Sequence, residues 1–411
     1  MRYYERTIES TILDVTRTFP VLLVTGPRQV GKSTLLEKLA EANRKIVTLD
    51  NPTIRLLAKT DPELFLQRYS PPVLIDEVQY APELLPYIKM IVDKRKQAGD
   101  YWLTGSQMFT MMKSTTESLA GRVGIVPMLG LSNSEIEGVR QHTFTTDMTE
   151  MVFRLSFRRQ MSISDVFDRI YKGSMPRIYE IDDLNLQIYF ESYLDTYLTR
   201  DIRVLEQVAD LTTFTNFIKV VAARSGSIVN YETLANEVGI TSPTAKKWLS
   251  LLVSSGIVLL VQPFLTNVLK RVIKSPRMYF LDTGLCAHLM GWGSADVLEK
   301  SMMSGEFFET WVVSEIYKSY LNNGIKPPLY YYRDSNKKEV DLIIYQDGKV
   351  HPIEIKKASS PQKATKHFSV LKPVELQGGM KIEISSGAVI CMASDVIPID
   401  ANNTYIPAWL I

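Results

Sequence analysis

The sequence predicts an α/β protein in three parts: an N-terminal parallel sheet, a helical middle part and a C-terminal part that is again α/β. Between residues 1 and 135, short apolar strands alternate with helical patterns, as they do in parallel sheets. From about 165 the pattern is mostly helical, and from about 300 a helix precedes aromatic and β-branched strands. We therefore predict domains over residues 1–140, 165–295 and 300–411, with a polar connection over 140–165.

The composition is typical of a globular protein in a reducing compartment. The chain has 411 residues, of which 45% are hydrophobic and 22% are charged, so it is too long for one ordinary core and too apolar for disorder. Its two cysteines, Cys286 and Cys391, do not have metal-ligand spacing and argue against a disulfide framework. The N-terminus has no stretch of signal-peptide type, and no apolar run is long enough to span a bilayer. We expect a cytoplasmic protein with no membrane partner.

Four strand candidates precede the helical part, and the loop after the first of them carries a phosphate-binding motif. The strand candidates are Val21–Thr25, Lys45–Leu49, Val73–Ile75 and Tyr101–Thr104. The motif lies between the first strand and a helix predicted over Thr34–Ala40. Its glycines let backbone N–H groups surround a phosphate, and the helix N-terminus adds its dipole. Lys32 can reach the β- and γ-phosphates, and the Ser33 hydroxyl can ligate Mg²⁺. The nucleotide-binding residues are therefore predicted to be Gly26, Pro27, Arg28, Gln29, Val30, Gly31, Lys32, Ser33 and Thr34.

Two acids at the end of the third strand supply the chemistry that such a loop requires. Asp76 is expected to hold the metal through its coordination shell, and Glu77 to polarise the attacking water as a general base. Thr104 and Ser106 follow the next strand, where a hydroxyl could report the γ-phosphate or serve the turn. The sequence contains no Asn-Lys-x-Asp motif for guanine. We therefore predict ATP as the nucleotide and Mg²⁺ as its cofactor.

These segments resemble a family of bacterial and archaeal AAA-type ATPases whose C-terminal domain has a poorly known function. The resemblance is carried by Gly-Pro-Arg-Gln-Val-Gly-Lys-Ser, Leu-Ile-Asp-Glu-Val-Gln, Leu-Thr-Gly-Ser and Ser-Leu-Ala-Gly-Arg-Val, and later by Tyr-Phe-Leu-Asp-Thr-Gly-Leu (279–285) and Glu-Val-Asp-Leu (339–342). It implies an ATP hydrolase. It also suggests Arg122 as an arginine finger or phosphate sensor, and the alternative for this residue is a structural salt bridge.

The middle part contains an element order typical of a winged helix-turn-helix. Helices are predicted over Tyr231–Val238 and up to Ser254, with Ser242 and Pro243 at the N-cap and N1 positions of the second. A β-type run follows over Ile257–Val261. Lys246 and Lys247 lie in the first turns of the second helix, the part that contacts DNA in such folds. Residues 211–280 contain eight Lys or Arg and two acids. This favours DNA as a partner, and the alternative is a packing module with a solvated basic face.

Near residue 347 the dipeptide Asp-Gly predicts a two-residue hairpin loop, which fixes the pairing of the flanking strands. In that register Asp341 faces Glu354, and Glu339 faces Lys356. Alternation then places Asp341, Glu354 and Lys356 on one charged face. The opposite, core face is predicted to carry Val340, Leu342, Ile344, Ile353 and Ile355.

Facing carboxylates repel each other unless a positive charge offsets them, and a divalent metal is the simplest offset. Asp-x₁₂-Glu-x-Lys after a helix at Phe307–Tyr320 resembles the PD-(D/E)xK core of a restriction-endonuclease-like domain. That resemblance implies Mg²⁺ at Asp341 and Glu354, with Lys356 positioning a water. Glu309, on the inward face of the helix, is a further candidate ligand. The alternatives are a charge ladder in which Lys356 pairs with both acids, or an inactive relic of that fold.

The leading functional hypothesis is an ATPase coupled through a winged helix to a nuclease-like domain that acts on or near DNA. The main alternative is a non-catalytic ATP-dependent switch whose C-terminal domain binds a protein or DNA partner. A third hypothesis is a remodelling ATPase that does not act on nucleic acid. Self-association is compatible with each of them.

Overall fold

The structure is a computed structural model that describes residues 3–105, 118–197, 210–264, 275–334, 336–375 and 381–411. None of the helices in these ranges is both long and apolar enough to cross a membrane. The helices are α1 (Glu9–Thr18), α2 (Lys32–Leu39), α3 (Pro52–Thr60), α4 (Pro62–Arg68), α5 (Leu84–Arg95), α6 (Asn133–Ile136), α7 (Met148–Leu155), α8 (Ile163–Lys172), α9 (Pro176–Glu180), α10 (Leu186–Tyr197), α11 (Leu211–Ala223), α12 (Tyr231–Val238), α13 (Ser242–Ser254), α14 (Thr283–Leu289), α15 (Ala295–Glu299) and α16 (Ser304–Leu321).

The strands described by the structure form two sheets. The first contains β1 (Val21–Thr25), β2 (Lys45–Thr48), β3 (Val73–Asp76), β4 (Tyr101–Gly105) and β5 (Val123–Pro127). The second contains β6 (Val258–Pro263), β7 (Arg277–Phe280), β8 (Leu329–Arg333), β9 (Glu339–Gln346), β10 (Lys349–Ile355), β11 (Val374–Glu375), β12 (Lys381–Ile384), β13 (Gly387–Cys391), β14 (Ile397–Pro398) and β15 (Asn403–Pro407).

The first sheet is parallel throughout and has the strand order β2-β3-β4-β1-β5. Its central strands β1 and β4 are buried along their whole length, which suits a sheet covered by helices on both faces. The predicted parallel sheet is therefore confirmed. The sequence interpretation missed β5, whose Val-Gly-Ile-Val-Pro sequence ends in a proline and contains a glycine, two residues that usually weaken a strand.

Several predicted boundaries shift by one or two residues. Helix α2 begins at Lys32 rather than Thr34, because Gly31 adopts a left-handed conformation (φ 90°) and occupies the N-cap position. The N-cap of α13 is Thr241 rather than Ser242, since the Thr241 side chain accepts a hydrogen bond from the Thr244 N–H. The predicted polar connection over 140–165 contains helix α7.

The second sheet joins the middle and C-terminal parts of the chain. Strands β6 and β7 form an antiparallel pair after α13, and β6 also pairs in parallel with β8 through Gln262–Tyr330 and Pro263–Tyr331. The sheet continues through β9, β10 and β13 to β15 and β14. The regions predicted as separate domains over 165–295 and 300–411 therefore share backbone hydrogen bonds.

The predicted hairpin register is confirmed, and the predicted core face is confirmed except at Val340. Asp347 (φ 52°) and Gly348 (φ 75°) form the loop, and Leu342 pairs with Ile353. A bulge between β8 and β9 shifts the register near Asp341. As a result Val340 packs with Ile343 and Val350 in a second core, and not with Leu342. Both faces of the hairpin are therefore buried.

One hydrophobic core extends through all three parts of the chain. It includes Leu22 and Trp102 from the first sheet, Phe217 and Trp248 from α11 and α13, and Ile353 from β10. The opposite face of the first sheet has a core of its own, built around Leu23, Ile75 and Leu103. The N-terminal sheet therefore shares one continuous core with the middle and C-terminal parts of the chain.

Candidate functional site

The loop after β1 is shaped by two glycines that no other residue could replace without strain. Gly26 has φ 148°, and a Cβ atom there would lie 1.9 Å from the Met128 carbonyl oxygen. Gly31 has φ 90° and leads directly into α2. Between them Gln29 is left-handed (φ 61°). The Lys32 side chain is buried, and its Nζ donates to the Gly26 and Pro27 carbonyls at 3.0 and 2.7 Å. The loop therefore curls around the lysine ammonium group.

Four side chains from four elements meet beside this loop. The Ser33 hydroxyl, at the start of α2, donates to Asp76 Oδ1 at 2.7 Å. The Thr104 hydroxyl, at the end of β4, donates to the same Asp76 oxygen. Thr48, at the end of β2, lies 3.4 Å from Asp76 Oδ2. Because the carboxyl ends of parallel strands lie at one edge of the sheet, β2, β3 and β4 present these groups together. Sequence reasoning did not single out Thr48.

Glu77 follows Asp76 in a left-handed conformation (φ 56°), which turns the chain sharply after β3. Its backbone N–H lies 3.4 Å from the Thr104 hydroxyl oxygen, and its carboxylate accepts a hydrogen bond from the Gln79 amide. Thr104 therefore contacts both predicted acidic residues. Ser106, the other hydroxyl considered with Thr104, lies outside the described residues.

The oxygen donors at this edge suit Mg²⁺. A serine hydroxyl and an aspartate carboxylate are hard ligands of the kind that Mg²⁺ prefers, and the ion usually takes few protein ligands together with phosphate oxygens. Ser33 and Asp76 are already within hydrogen-bonding distance of each other. These two residues would therefore hold the metal, as the sequence predicts.

Arg122 lies at the opposite edge of the sheet, so the suggested role as an arginine finger or sensor for its own loop does not fit its position. It immediately precedes β5, and its carbonyl accepts from the Val21 N–H at the start of β1. Its guanidinium group makes a two-pronged ion pair with Asp93, and this hydrogen bonding lowers the pKa of the Asp93 carboxyl. The geometry is that of the salt-bridge alternative.

The described basic residues of the middle part differ in their exposure and in their partners. Arg277 is buried, and Arg224 pairs with Glu237. Lys219, Lys246 and Lys247 are exposed. Three of the eight basic residues in the range 211–280 lie outside the described residues, namely Lys270, Arg271 and Lys274.

The C-terminal charged residues converge, but around cations of the chain itself. Lys356 Nζ lies 2.7 Å from Glu354 Oε1 and 3.2 Å from Asp341 Oδ2. Burial and the Asp341 charge raise the pKa of Glu354 to about 7. Burial opposes the charged form of Lys356, but Asp341 and Glu354 raise its pKa above the ordinary value. Within the described residues no group of three or more His, Cys, Asp or Glu is arranged to hold a metal ion.

Sequence reasoning missed Arg277, which comes from β7 and occupies the centre of this cluster. It contacts Glu309 Oε1 at 3.3 Å and Glu339 Oε2 at 2.8 Å, and Asp341 Oδ1 lies 3.9 Å away. Tyr279 donates to Glu309 at 2.7 Å, so the Glu309 carboxylate is engaged by side chains of β7 rather than by the hairpin. Burial and the Asp341 charge raise the pKa of Glu309 to about 7. As arranged, the residues fit the charge-ladder alternative better than a metal site.

Comparison with known proteins agrees with the geometry of the first sheet. Residues 18–137 match the family model described as "AAA domain". The N-terminal part of the chain is therefore similar to an AAA domain. Residues 163–296 and 304–411 match two domains of unknown function, DUF8612 and DUF4143, so the comparison adds no function for the middle and C-terminal parts of the chain.

Similar whole proteins are themselves uncharacterised. The "Uncharacterized protein Rv2008c" of Mycobacterium tuberculosis and "Uncharacterized protein Mb2031c" of Mycobacterium bovis are each 28% identical over 361 residues, covering 87% of this chain and 75% of theirs. The Walker-type ATPase PABY2304 of Pyrococcus abyssi is 14% identical with a TM-score of 0.43, covering 70% of this chain and 96% of that one. The STAND protein PH0952 of Pyrococcus horikoshii is 12% identical with a TM-score of 0.25, and the match covers 76% of this chain and 45% of that one.

The contact of Thr104 with Asp76 predicts a specific defect in metal-dependent nucleotide binding. Thr104→Val keeps the shape of the side chain but removes a hydrogen bond to a charged group. We expect the Mg²⁺ concentration needed for half-maximal ATP binding to rise about tenfold. A titration of Mg²⁺ at fixed ATP measures this. Thr48→Val is the matched control, because its longer contact to Asp76 at 3.4 Å predicts a smaller shift. Equal shifts in the two variants would contradict the role given to Thr104.

Proposed function

We propose that this chain binds and hydrolyses ATP with Mg²⁺ in its N-terminal domain, and that the middle and C-terminal parts respond to the nucleotide as an ATP-dependent switch. The observation that carries the ATPase proposal is the meeting of Ser33, Asp76 and Thr104 beside the glycine-shaped loop. The match of residues 18–137 to an AAA domain supports it.

Each residue of this site would have a separate role in phosphoryl transfer. Lys32 would exchange its contacts with the Gly26 and Pro27 carbonyls for the β- and γ-phosphates, which offer more negative charge. Glu77 would accept a proton from the attacking water. Thr104 would hold Asp76 and the Glu77 backbone in place through its two contacts. Mg²⁺ bound at Ser33 and Asp76 would neutralise charge on the phosphate oxygens.

The switch proposal rests on the segment 128–137, which touches both the nucleotide loop and the C-terminal part. Met128 lies against Gly26 at one end of the segment. Toward its other end the Asn133 N–H donates to Glu315 of α16 at 2.8 Å, and Lys318 of α16 donates to the Leu131 carbonyl at 3.0 Å. A displacement of the loop on nucleotide binding would therefore be passed to α16 through contiguous contacts.

A role at DNA remains part of the proposal. The three helices α11, α12 and α13, followed by the β6–β7 pair, have the element order of a winged helix-turn-helix. Lys246 and Lys247 are exposed near the start of α13, where such a fold would contact phosphates or bases. DNA would then be the ligand whose binding the nucleotide controls.

A metal-dependent nuclease is a second candidate function. Asp341, Glu354 and Lys356 converge as that reaction needs, and Glu354 Oε2 is buried without a hydrogen-bond partner among the described residues. This oxygen is the single feature that a cation would satisfy. Arg277 and Lys356 already supply positive charge there, so we rank this function below the switch.

The ATPase proposal predicts two separable defects. Lys32→Ala should abolish tight ATP binding, because it removes the ammonium group that the phosphates require. Glu77→Gln should bind ATP with normal affinity and hydrolyse it about a hundredfold more slowly, because the amide cannot accept the proton. Calorimetric binding and a phosphate-release assay measure the two effects. Lys38→Ala, in the exposed part of α2, is the control and should behave as the parent chain. An ATP affinity in Lys32→Ala equal to that of the parent chain would contradict the ATPase proposal.

The DNA proposal predicts a change in salt dependence. Replacing Lys246 and Lys247 together by alanine should weaken DNA binding and reduce the slope of log affinity against log salt concentration by about one per lost phosphate contact. Fluorescence anisotropy with duplex DNA at several salt concentrations measures this. Absence of DNA binding in the parent chain, or an unaltered slope in the variant, would make the middle part a packing module.

The nuclease candidate predicts stabilisation by metal. If Asp341 and Glu354 hold Mg²⁺ or Mn²⁺, adding the ion should raise the melting temperature of the parent chain, and Asp341→Ala should lose that increase. The charge ladder predicts no metal-dependent shift in either protein. Thermal unfolding of both chains across a metal titration distinguishes the metal site from the charge ladder. ATP is left out so that the N-terminal site takes up little metal. No shift in the parent chain would remove the nuclease candidate.

A further inference from the structure

Arg6 is a buried residue ahead of α1 that reaches the nucleotide loop from the N-terminal segment. It is 5% exposed and therefore cannot be serving a solvent-facing role. Its Nη1 donates to the Val30 carbonyl at 3.0 Å, within the phosphate-binding loop. Its Nη2 donates to the Leu129 carbonyl at 2.7 Å and lies 3.2 Å from the Gly130 carbonyl, on the segment that follows β5. One guanidinium group thus joins the nucleotide loop to the chain beside it.

The contact with the Val30 carbonyl also fixes the direction of the Gly31 N–H. A peptide unit is planar, and its C=O and the following N–H point in opposite directions. The carbonyl of Val30 and the N–H of Gly31 belong to one such unit. Holding the Val30 oxygen on Arg6 therefore directs the Gly31 N–H away from Arg6. Gly31 has φ 90° in the structure, but glycine is conformationally permissive and would not hold the direction of its N–H by itself.

A buried carboxylate holds Arg6 in turn. Glu135 is 1% exposed, and its Oε2 lies 3.2 Å from Arg6 Nε. The same carboxylate accepts from the Thr7 N–H at 2.7 Å and from the Ser132 N–H at 2.9 Å. Both carboxylate oxygens are thus engaged by groups of fixed position. The guanidinium plane is set on one side by Glu135 and on the other by three backbone carbonyls.

We propose that Arg6 is a positioning residue for nucleotide binding, which orients the Gly31 N–H toward the phosphate by holding the Val30 carbonyl. This inference rests on the proposed ATP site and names a residue of that site outside both sequence motifs. Arginine is required because its planar fork presents several donors at fixed angles, whereas a lysine ammonium group is a compact point charge. Arg6 contacts the loop backbone and not the reacting atoms, so it acts on binding and not on the chemical step.

The test compares Arg6→Lys with Arg6→Ala and with Arg17→Ala. Arg17 lies on α1, pairs with Asp14 and is largely exposed, so it controls for the loss of an arginine close in sequence. Affinity for ATP with Mg²⁺ and for ADP is measured by calorimetry well below the melting temperature of each variant. The hydrolysis rate is measured at saturating ATP. Arg6→Lys keeps the buried positive charge but replaces the planar fork by a compact ammonium group, and so remains available if Arg6→Ala does not fold.

We expect Arg6→Lys to bind both nucleotides about tenfold more weakly, since a lost hydrogen bond to a charged group is of that order. The rate at saturating ATP should stay within about threefold of the parent chain, which gives the split between KM and kcat that a positioning residue predicts. Arg17→Ala should match the parent chain in both measurements.

A purely structural role for Arg6 gives a different pattern. The melting temperature would then fall while nucleotide affinity in the folded Arg6→Lys variant stayed equal to that of the parent chain, and this result would overturn the inference. An equal loss of the saturated rate and of affinity would also overturn it, by assigning Arg6 to the chemical step. If the parent chain itself bound no ATP, the proposed function would fail and this inference with it.

Discussion

The candidate ATP site depends on the place of β4 between β1 and β3. This strand order brings the ends of three parallel strands to one edge, so that Ser33, Asp76 and Thr104 meet although they are far apart in sequence. A different order would leave the phosphate loop and the acidic strand as unconnected motifs. The same order places β5 beside β1 on its other side, where the Met128 carbonyl leaves room only for a glycine at position 26.

Buried ion pairs link this site to the rest of the chain. Arg6 pairs with Glu135 of the segment 128–137, and Glu315 and Lys318, which pair with each other on α16, bond to the Asn133 N–H and the Leu131 carbonyl of the same segment. Such pairs contribute little net stability, because their attraction is offset by the loss of water, but they specify one arrangement of the groups around them. The segment therefore has defined partners both in the N-terminal segment and in α16, and it is the connection through which the proposed switch would act. The shared hydrophobic core has no such specificity, since apolar contacts are non-directional.

The features that could be predicted from sequence are those set by neighbouring residues. The loop over residues 26–33 and the hairpin at Asp347 and Gly348 carry their own backbone requirements, so both turns could be predicted from the sequence. The centre of the C-terminal cluster could not be predicted, because Arg277 arrives from a strand more than sixty residues away in sequence. Alternation failed at Val340 because a bulge depends on how β8 pairs with β9. The choice between the two roles considered for Arg122 could not be made from sequence, because a short motif does not show which sheet edge it occupies.

Hydrogen exchange of the full chain with and without ATP and Mg²⁺ tests the central claim most directly. A backbone N–H that binds a phosphate exchanges slowly, and exchange is resolved along the sequence. The account predicts that the nucleotide slows exchange over residues 26–33 and also over residues 128–137, which contact the loop. Unchanged exchange over residues 26–33 at saturating ATP and Mg²⁺ would contradict the account.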